Sequence, residues 1–326
     1  MTPVIETSGL TKQYGEVRAV SDLTLTVKPG EVFGFLGPNG AGKSTTIDML
    51  LDYVRPTAGT VRVFGLDPRA DIKEIHARMG VLPDGVALYD RLTGRHHLEF
   101  AIGVKGADDT VEDLLDRVSL DRVAATRRVG SYSRGMRQRL ALAMALVGSP
   151  DLLVLDEPQN GLDPHGMREM RDIICAEADR GATVFFSSHI LSEVEAVADR
   201  VGIMNRGVLV AVDSIDSLRT DLEGGVIVDL VVEGAVDEDA LAAIDYVTIG
   251  VVGQSLTVEC SQDVQKSALI ADIEATGVTV TDVGTRRASL EDLFTAFTTD
   301  VDSTDQSTVG AGVPESETDE TQEVTA

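Results

Sequence analysis

The chain has 326 residues, more than one ordinary domain needs, and 43% of them are hydrophobic, enough for a sizeable core. Its 54 acidic residues against 28 basic ones give a formal net charge of −26. That balance argues against a nucleic-acid partner, because a phosphate backbone would be repelled. Lysine is scarce beside arginine, aspartate is abundant, and the acidity pervades the folded segments, a composition suited to high intracellular salt. No stretch approaches the roughly 20 apolar residues of a spanning helix. Met1-Thr2-Pro3-Val4-Ile5-Glu6 lacks the basic start and apolar core of a secretion signal. Cys175 and Cys260 have no metal-ligand spacing and fall in apolar-rich segments, so free, mostly buried thiols in a reducing compartment are expected.

In chain order, Val4 to Thr7 and Leu23 to Val27 alternate apolar and polar residues and read as antiparallel strands flanking Tyr14-Gly15. Glu31 to Leu36 is a short apolar run of buried-strand type, followed by a glycine-rich loop and a helical pattern from Thr45 to Leu51. Pro56 to Gly59 is a turn, Thr60 to Phe64 a strand, Asp71 to Arg78 a helix, and Gly80 to Pro83 a short strand stopped by proline. Helical spacing runs from about Thr93 to Leu120, broken near Gly103–Gly106, and again from Ser133 to about Val147. Asp151 to Leu155 is a buried strand, His165 to Asp179 a helix, Thr183 to Ser187 a strand and Leu191 to Asp199 a helix. Val201 to Met204 and Gly207 to Val210 are two more strands. This alternation predicts an α/β fold with a largely parallel sheet and helices on both faces.

The composition shifts after Asp221. Strands at 226–232, 255–260 and 278–283 with helices at 238–244 and 264–275 predict a small α+β domain of ferredoxin-like type over 223–298, ending in a capped helix from Ser289. Seven acidic residues and no Lys or Arg follow Val301, so 299–326 is expected to be a disordered acidic tail.

Three constellations carry chemistry. Gly37-Pro38-Asn39-Gly40-Ala41-Gly42-Lys43-Ser44-Thr45 fits the pattern glycine, four residues, Gly-Lys-Ser/Thr, and it lies between a strand and a helix. Glycines let backbone N–H groups turn inward on a polyanion, and the helix N-terminus adds partial positive charge. Lys43 would reach the β- and γ-phosphates, and the Ser44 hydroxyl would sit on Mg²⁺. Second, the strand at 152–155 ends in Asp156-Glu157. A carboxylate there can hold Mg²⁺ through water, and its neighbour can orient or deprotonate a water near the γ-phosphate. Third, Ser133-Arg134-Gly135-Met136 opens a helix, a second anion-binding N-terminus that points to a nucleotide shared between two chains. The His96-His97 pair has no further ligand at metal spacing and reads as a helix surface.

Taken together these motifs resemble the ATP-binding subunits of ABC transporters. Gly37 to Ser44 is similar to the Walker A motif, Leu152 to Glu157 to Walker B, Tyr132 to Met136 to the signature, Asn160-Gly161-Leu162-Asp163 to the D-loop and His189 to the switch histidine. Tyr14 stands where the family stacks an aromatic ring on adenine. The resemblance implies a P-loop NTPase over 1–222, with a RecA-like core, an antiparallel β subdomain and a helical subdomain at about 85–150. It implies ATP held by Tyr14 and by Gly37 to Thr45, and Mg²⁺ at Ser44 and Asp156. Catalysis would rest on Glu157, His189 and Lys43, with Ser133, Arg134, Gly135 and Met136 reaching a partner's ATP and Asp163 coupling the two sites.

The chain departs from the family pattern at three places. Asp84 replaces the Q-loop glutamine; its carboxylate can also contact Mg²⁺ or a metal-bound water, which makes it a third candidate metal residue, with altered metal contact and retained function expected. Arg134 replaces a signature glycine, and Gln159 stands where threonine is usual. Both Asp84 and Arg134 are similar to the type-2 exporter branch, as are Leu82 to Gly94 and Ser289 to Phe294. That likeness implies a homodimer working on the inner face of a membrane with a separate transmembrane permease. The alternatives are a soluble ABC ATPase of translation or repair, and a nucleotide sensor without turnover. The chain's single motif set and lack of a heptad run count against the soluble ATPase.

Overall fold

A computed structural model describes residues 2–222, 225–234, 248–252, 255–261 and 266–287. The chain opens on a long hairpin in which β1 (Ile5–Tyr14) pairs antiparallel with β2 (Val17–Val27), and β4 (Ala58–Val63) joins the other edge of β1. The alternating sequence marks only the base of this hairpin. Toward the tip the strands reach past the core, Gln13 and Tyr14 are exposed, and the apolar period disappears although the pairing Tyr14↔Val17 persists.

A six-stranded sheet follows, built from β3 (Val32–Leu36), β5 (Met79–Leu82), β6 (Leu152–Leu155), β7 (Thr183–Ser188), β8 (Arg200–Asn205) and β9 (Val208–Ser214). The strand order is β5-β6-β7-β3-β8-β9, parallel throughout except for β9, which runs antiparallel to β8. Strands buried on both faces need continuous apolar runs, and every residue of β3, β6 and β7 is buried. One face packs on the antiparallel sheet through Ile5, Leu25, Phe35 and Phe185, with α1 (Lys43–Leu50) contributing Ile47 and Met49. The other face packs Leu36, Leu155 and Phe186 against Leu98, Leu114 and Leu140 of the helical segment.

The helices begin where capping chemistry dictates. Asp67 starts α2 (Pro68–Arg78), Thr93 α3 (Gly94–Lys105), Thr110 α4 (Val111–Arg117), Ser133 α5 (Arg134–Ala145) and Asp163 α6 (Pro164–Asp179). Each cap side chain accepts a backbone N–H of the first turn. α3 stops at Gly106, which supplies the left-handed C-cap with φ 63°. α7 (Leu191–Glu195) is shorter than its sequence pattern, and α8 (Ile215–Leu222) leads out of the sheet.

Two readings are corrected. Cys175 is exposed on α6, because Gly166, Met170, Ile174 and Glu177 form the inward stripe and position 175 is turned away from it. The Cys260 side chain lies outside the described residues. His97 is buried rather than on a helix surface, because the loop before α3 folds over its first turn. The Tyr89 N–H donates to His97 Nε2 at 3.0 Å, so Nδ1 carries the ring proton and donates to the Thr93 carbonyl at 2.8 Å.

After α8 the chain forms β10 (Gly225–Glu233), β11 (Thr248–Val252), β12 (Ser255–Ser261), α9 (Lys266–Glu274) and β13 (Thr279–Arg287). The strands make one antiparallel sheet ordered β11-β12-β10-β13 over a core of Val228, Leu230, Leu256, Val258, Leu269 and Ile273. β11 is absent from the sequence reading because it is five residues long, sits at an edge and is interrupted by Gly250. The predicted helices at 238–244 and from Ser289, and the acidic tail, lie outside the described residues. Among the described residues no helix is long and apolar enough to cross a membrane.

Candidate active site

Parallel sheets present ligand sites at the carboxyl ends of their strands. Here β3, β7 and β6 lie side by side, with Leu36 level with Ser188 and Leu155 level with Phe186. The loop after β3, the acid pair after β6 and His189 after β7 therefore meet at one edge.

The loop wraps tightly. Gly42 has φ 105°, and a Cβ there would fall 2.4 Å from the Ala19 carbonyl oxygen, so only glycine fits. Gly42 precedes α1 without any side-chain cap, which leaves the first N–H groups of the helix aimed at the loop's interior. Lys43 is buried at 5% exposure. Its ammonium donates to the carbonyls of Gly37 at 2.7 Å and Pro38 at 3.2 Å and pairs with Glu157 Oε1 at 3.2 Å.

Glu157 is the centre of the site. Its other oxygen, Oε2, lies 2.8 Å from His189 Nδ1. Its backbone is left-handed, φ 49°, a conformation costly for a residue with a Cβ and retained typically at functional positions. The twist turns the side chain back toward Lys43 and His189 while the Asn160 N–H closes a turn on the Glu157 carbonyl at 2.9 Å.

Asp156 is buried and accepts from Ser187 Oγ at 2.5 Å. The Glu157 N–H donates to the same Ser187 oxygen at 2.9 Å. Ser187 thus ties the Asp156 carboxyl to the Glu157 backbone, a role the sequence does not announce because it depends on β7 lying beside β6. Burial pushes the Asp156 carboxyl up from its ordinary range. Hydrogen bonds from Ser187 and Ser44 oppose that rise, and the charges of Asp84 and Glu157 add to it.

The residues fit a hard dication. Ser44 and Asp156 are hydrogen-bonded oxygen donors, with a third carboxylate, Asp84, acting on Asp156. No group of three or more His, Cys, Asp or Glu residues forms a metal cage among the described residues. Magnesium does not require one, since it binds through one or two carboxylates, waters and substrate phosphates.

The other predicted residues lie apart from this cluster. Tyr14 is exposed at the hairpin tip with the Lys12 ammonium 4.7 Å from its ring centroid. Asn39 and Gly40 sit on the open side of the loop, with nothing within 4 Å of a Cβ at Gly40. Ser133 caps α5 by accepting the Met136 N–H at 3.2 Å. Asp163 caps α6 by accepting the Gly166 N–H at 2.8 Å. Among the described residues no hydrogen bond or ion pair joins the signature to Lys43, Glu157 or His189. Its ties run instead to the turn after Glu157, where Gln138 donates to the Pro158 carbonyl and Arg134 to Asn160.

This fold and loop define a P-loop nucleoside triphosphatase. The family model for ABC transporters matches residues 20–160. The bacitracin transport ATP-binding protein BcrA of Bacillus licheniformis is 43% identical over 222 residues, covering 67% of this chain and 72% of BcrA. The daunorubicin resistance ATP-binding protein DrrA3 of Streptomyces coeruleorubidus is 33% identical over 305 residues, covering 91% of this chain and 96% of DrrA3. A solved ATP-binding subunit of an ABC transporter superposes with a TM-score of 0.62 at 27% identity, covering 68% of this chain and 93% of that one. The chain belongs to the ATP-binding subunits of ABC transporters: it binds and hydrolyses ATP. Neither the soluble ATPase nor the silent sensor is favoured by these likenesses.

Proposed function

We propose that the chain drives export through a separate transmembrane permease, as a homodimer on the inner face of the membrane, closing on two ATP and reopening on hydrolysis. The observation that carries this reading is Glu157 held between Lys43 and His189, beside Asp156 and Ser44. Lys43 and the loop N–H groups of Gly40 to Thr45 bind the phosphates. Ser44 and Asp156 would hold Mg²⁺, which would supply positive charge against the phosphate oxygens. Glu157 orients and deprotonates the attacking water, and His189 steadies Glu157 and meets the γ-phosphate.

Tyr14 stacks on adenine, and Ser133 and Gly135 complete the partner's site, with Asp163 linking the two. The names of BcrA and DrrA3 support an antibiotic-like cargo. We further assign 1–222 to the ATPase and 223–298 to a ferredoxin-like unit, a reading that the strand order β11-β12-β10-β13 supports. Adaptation to high salt is part of the same proposal and rests on the charge of −26.

Glu157→Gln tests the chemistry. ATP binding is retained while turnover falls by at least about 100-fold, the scale of a lost general base. Full ATPase activity in that variant overturns the assignment. Co-expression with a polytopic protein encoded beside this gene should bring the chain into the membrane fraction.

A further inference from the structure

Two of the three departures from the family pattern meet in space. Arg134, at the start of α5, donates from Nη2 to Asn160 Oδ1 at 3.3 Å. The same amide donates from Nδ2 to Asp84 Oδ1 at 3.4 Å. An amide has one acceptor end and one donor end. Here the oxygen faces the guanidinium and the nitrogen faces the carboxylate, the only orientation that satisfies both. The arginine is seated as well as bonded. Gly161 has φ 77°, and a Cβ there would fall 1.9 Å from Arg134 Nε, so the guanidinium lies against bare backbone. The turn that carries Asn160 is pinned to Glu157 by its own N–H.

We infer that Asn160 is a positioning residue that links Arg134 to Asp84 and so fixes the Asp84 carboxylate beside Asp156. With Oδ1 engaged, the second Asp84 oxygen is the one left to meet a magnesium-bound water. Asp84 follows β5, whose Leu82 is level with Leu155 of β6 and accepts the Asp156 N–H at 2.8 Å, so the two carboxylates stand at neighbouring strand ends. The relay also accounts for the paired departures: a carboxylate in place of glutamine at 84 is matched by a cation in place of glycine at 134, with a dipole aligned between them. Arg134 thereby acts within its own chain, whatever it reaches in a partner.

This inference rests on the assignment of Mg²⁺ to Ser44 and Asp156. It is tested by binding of a fluorescent ATP analogue to the full chain, dilute enough to sediment as a monomer, in Mg²⁺ and in EDTA. Asn160→Ala should shrink the affinity gained from Mg²⁺ by about two- to fivefold, the range of an exposed polar coupling, and leave affinity in EDTA unchanged. Arg134→Ala should shift it the same way in the native background and not at all in the Asn160→Ala background. Arg134→Lys should restore most of it. Equal shifts in both buffers, or independent effects of the two variants, overturn the relay. Asp156→Asn separates the two levels: if it leaves the gain from Mg²⁺ intact, the metal assignment fails. If it abolishes the gain while Asn160→Ala does not change it, the relay alone fails.

Discussion

Ser187 bonds the Asp156 carboxyl and the Glu157 backbone N–H, so its removal reaches both acids of the site through groups other than the nucleotide. Ser187→Ala takes a donor from Asp156 and an acceptor from the Glu157 N–H. We expect kcat to fall about 10- to 100-fold, the usual consequence of losing a group that orients a metal ligand, with ATP affinity in EDTA unchanged. Asp156 gives a pH signature. Because its folded-state pKa is raised, the protonated form favours folding, and that contribution is lost as pH rises through the folded value. Asp156→Asn should therefore raise the melting temperature in Mg²⁺-free buffer near pH 7, by an amount that shrinks toward pH 4. A melt series over that range checks both the sign and the window. At this scale the phosphate loop and the acid pair were legible because each is a local pattern: glycines at fixed offsets, and charges at the end of an apolar strand. Ser187, Asn160 and the inward turn of His97 were not, since each depends on a neighbour far away in the chain.

Among the elements, α6 ties the site to the helical segment. Its Asp163 end follows the site, and its body carries two carboxylates that collect arginines from the helical segment. Glu169 pairs with Arg139 of α5, and His165 lies 3.2 Å from the same carboxylate. Glu177, buried, accepts from Arg117 of α4 at 2.6 Å and from Arg180 at 3.0 Å. Those arginines also donate to the carbonyls of Leu146 and Pro150, so one carboxylate organises the return from α5 into β6. Glu177→Gln keeps the shape and removes the charge. It should cost about 1.5–3 kcal/mol, the range for hydrogen bonds to charged groups, read by urea unfolding. The helices were legible through their caps, and α3 through its stop at Gly106. The hairpin tip and β11 were not, since exposed and edge strands need no apolar alternation.

For the whole molecule, the charge of −26 sets the conditions under which the fold is most stable. Carboxylates outnumber their cationic partners, so repulsion outweighs the surface ion pairs such as Arg78–Asp151. Salt shortens the screening length from about 10 Å at 0.1 M to about 3 Å at 1 M. Raising KCl across that range should lift the melting temperature by on the order of 5 °C, and a fall would mean that the ion pairs dominate.

The sixteen residues of α6 make a rod about 24 Å long. At one end stands the turn that carries Asn160, and at the other the Glu177 clasp. A rod fixed at intervals to two other helices cannot slide without taking them along. In mechanical terms it is a connecting rod, joined to α5 through Glu169 and to α4 through Glu177.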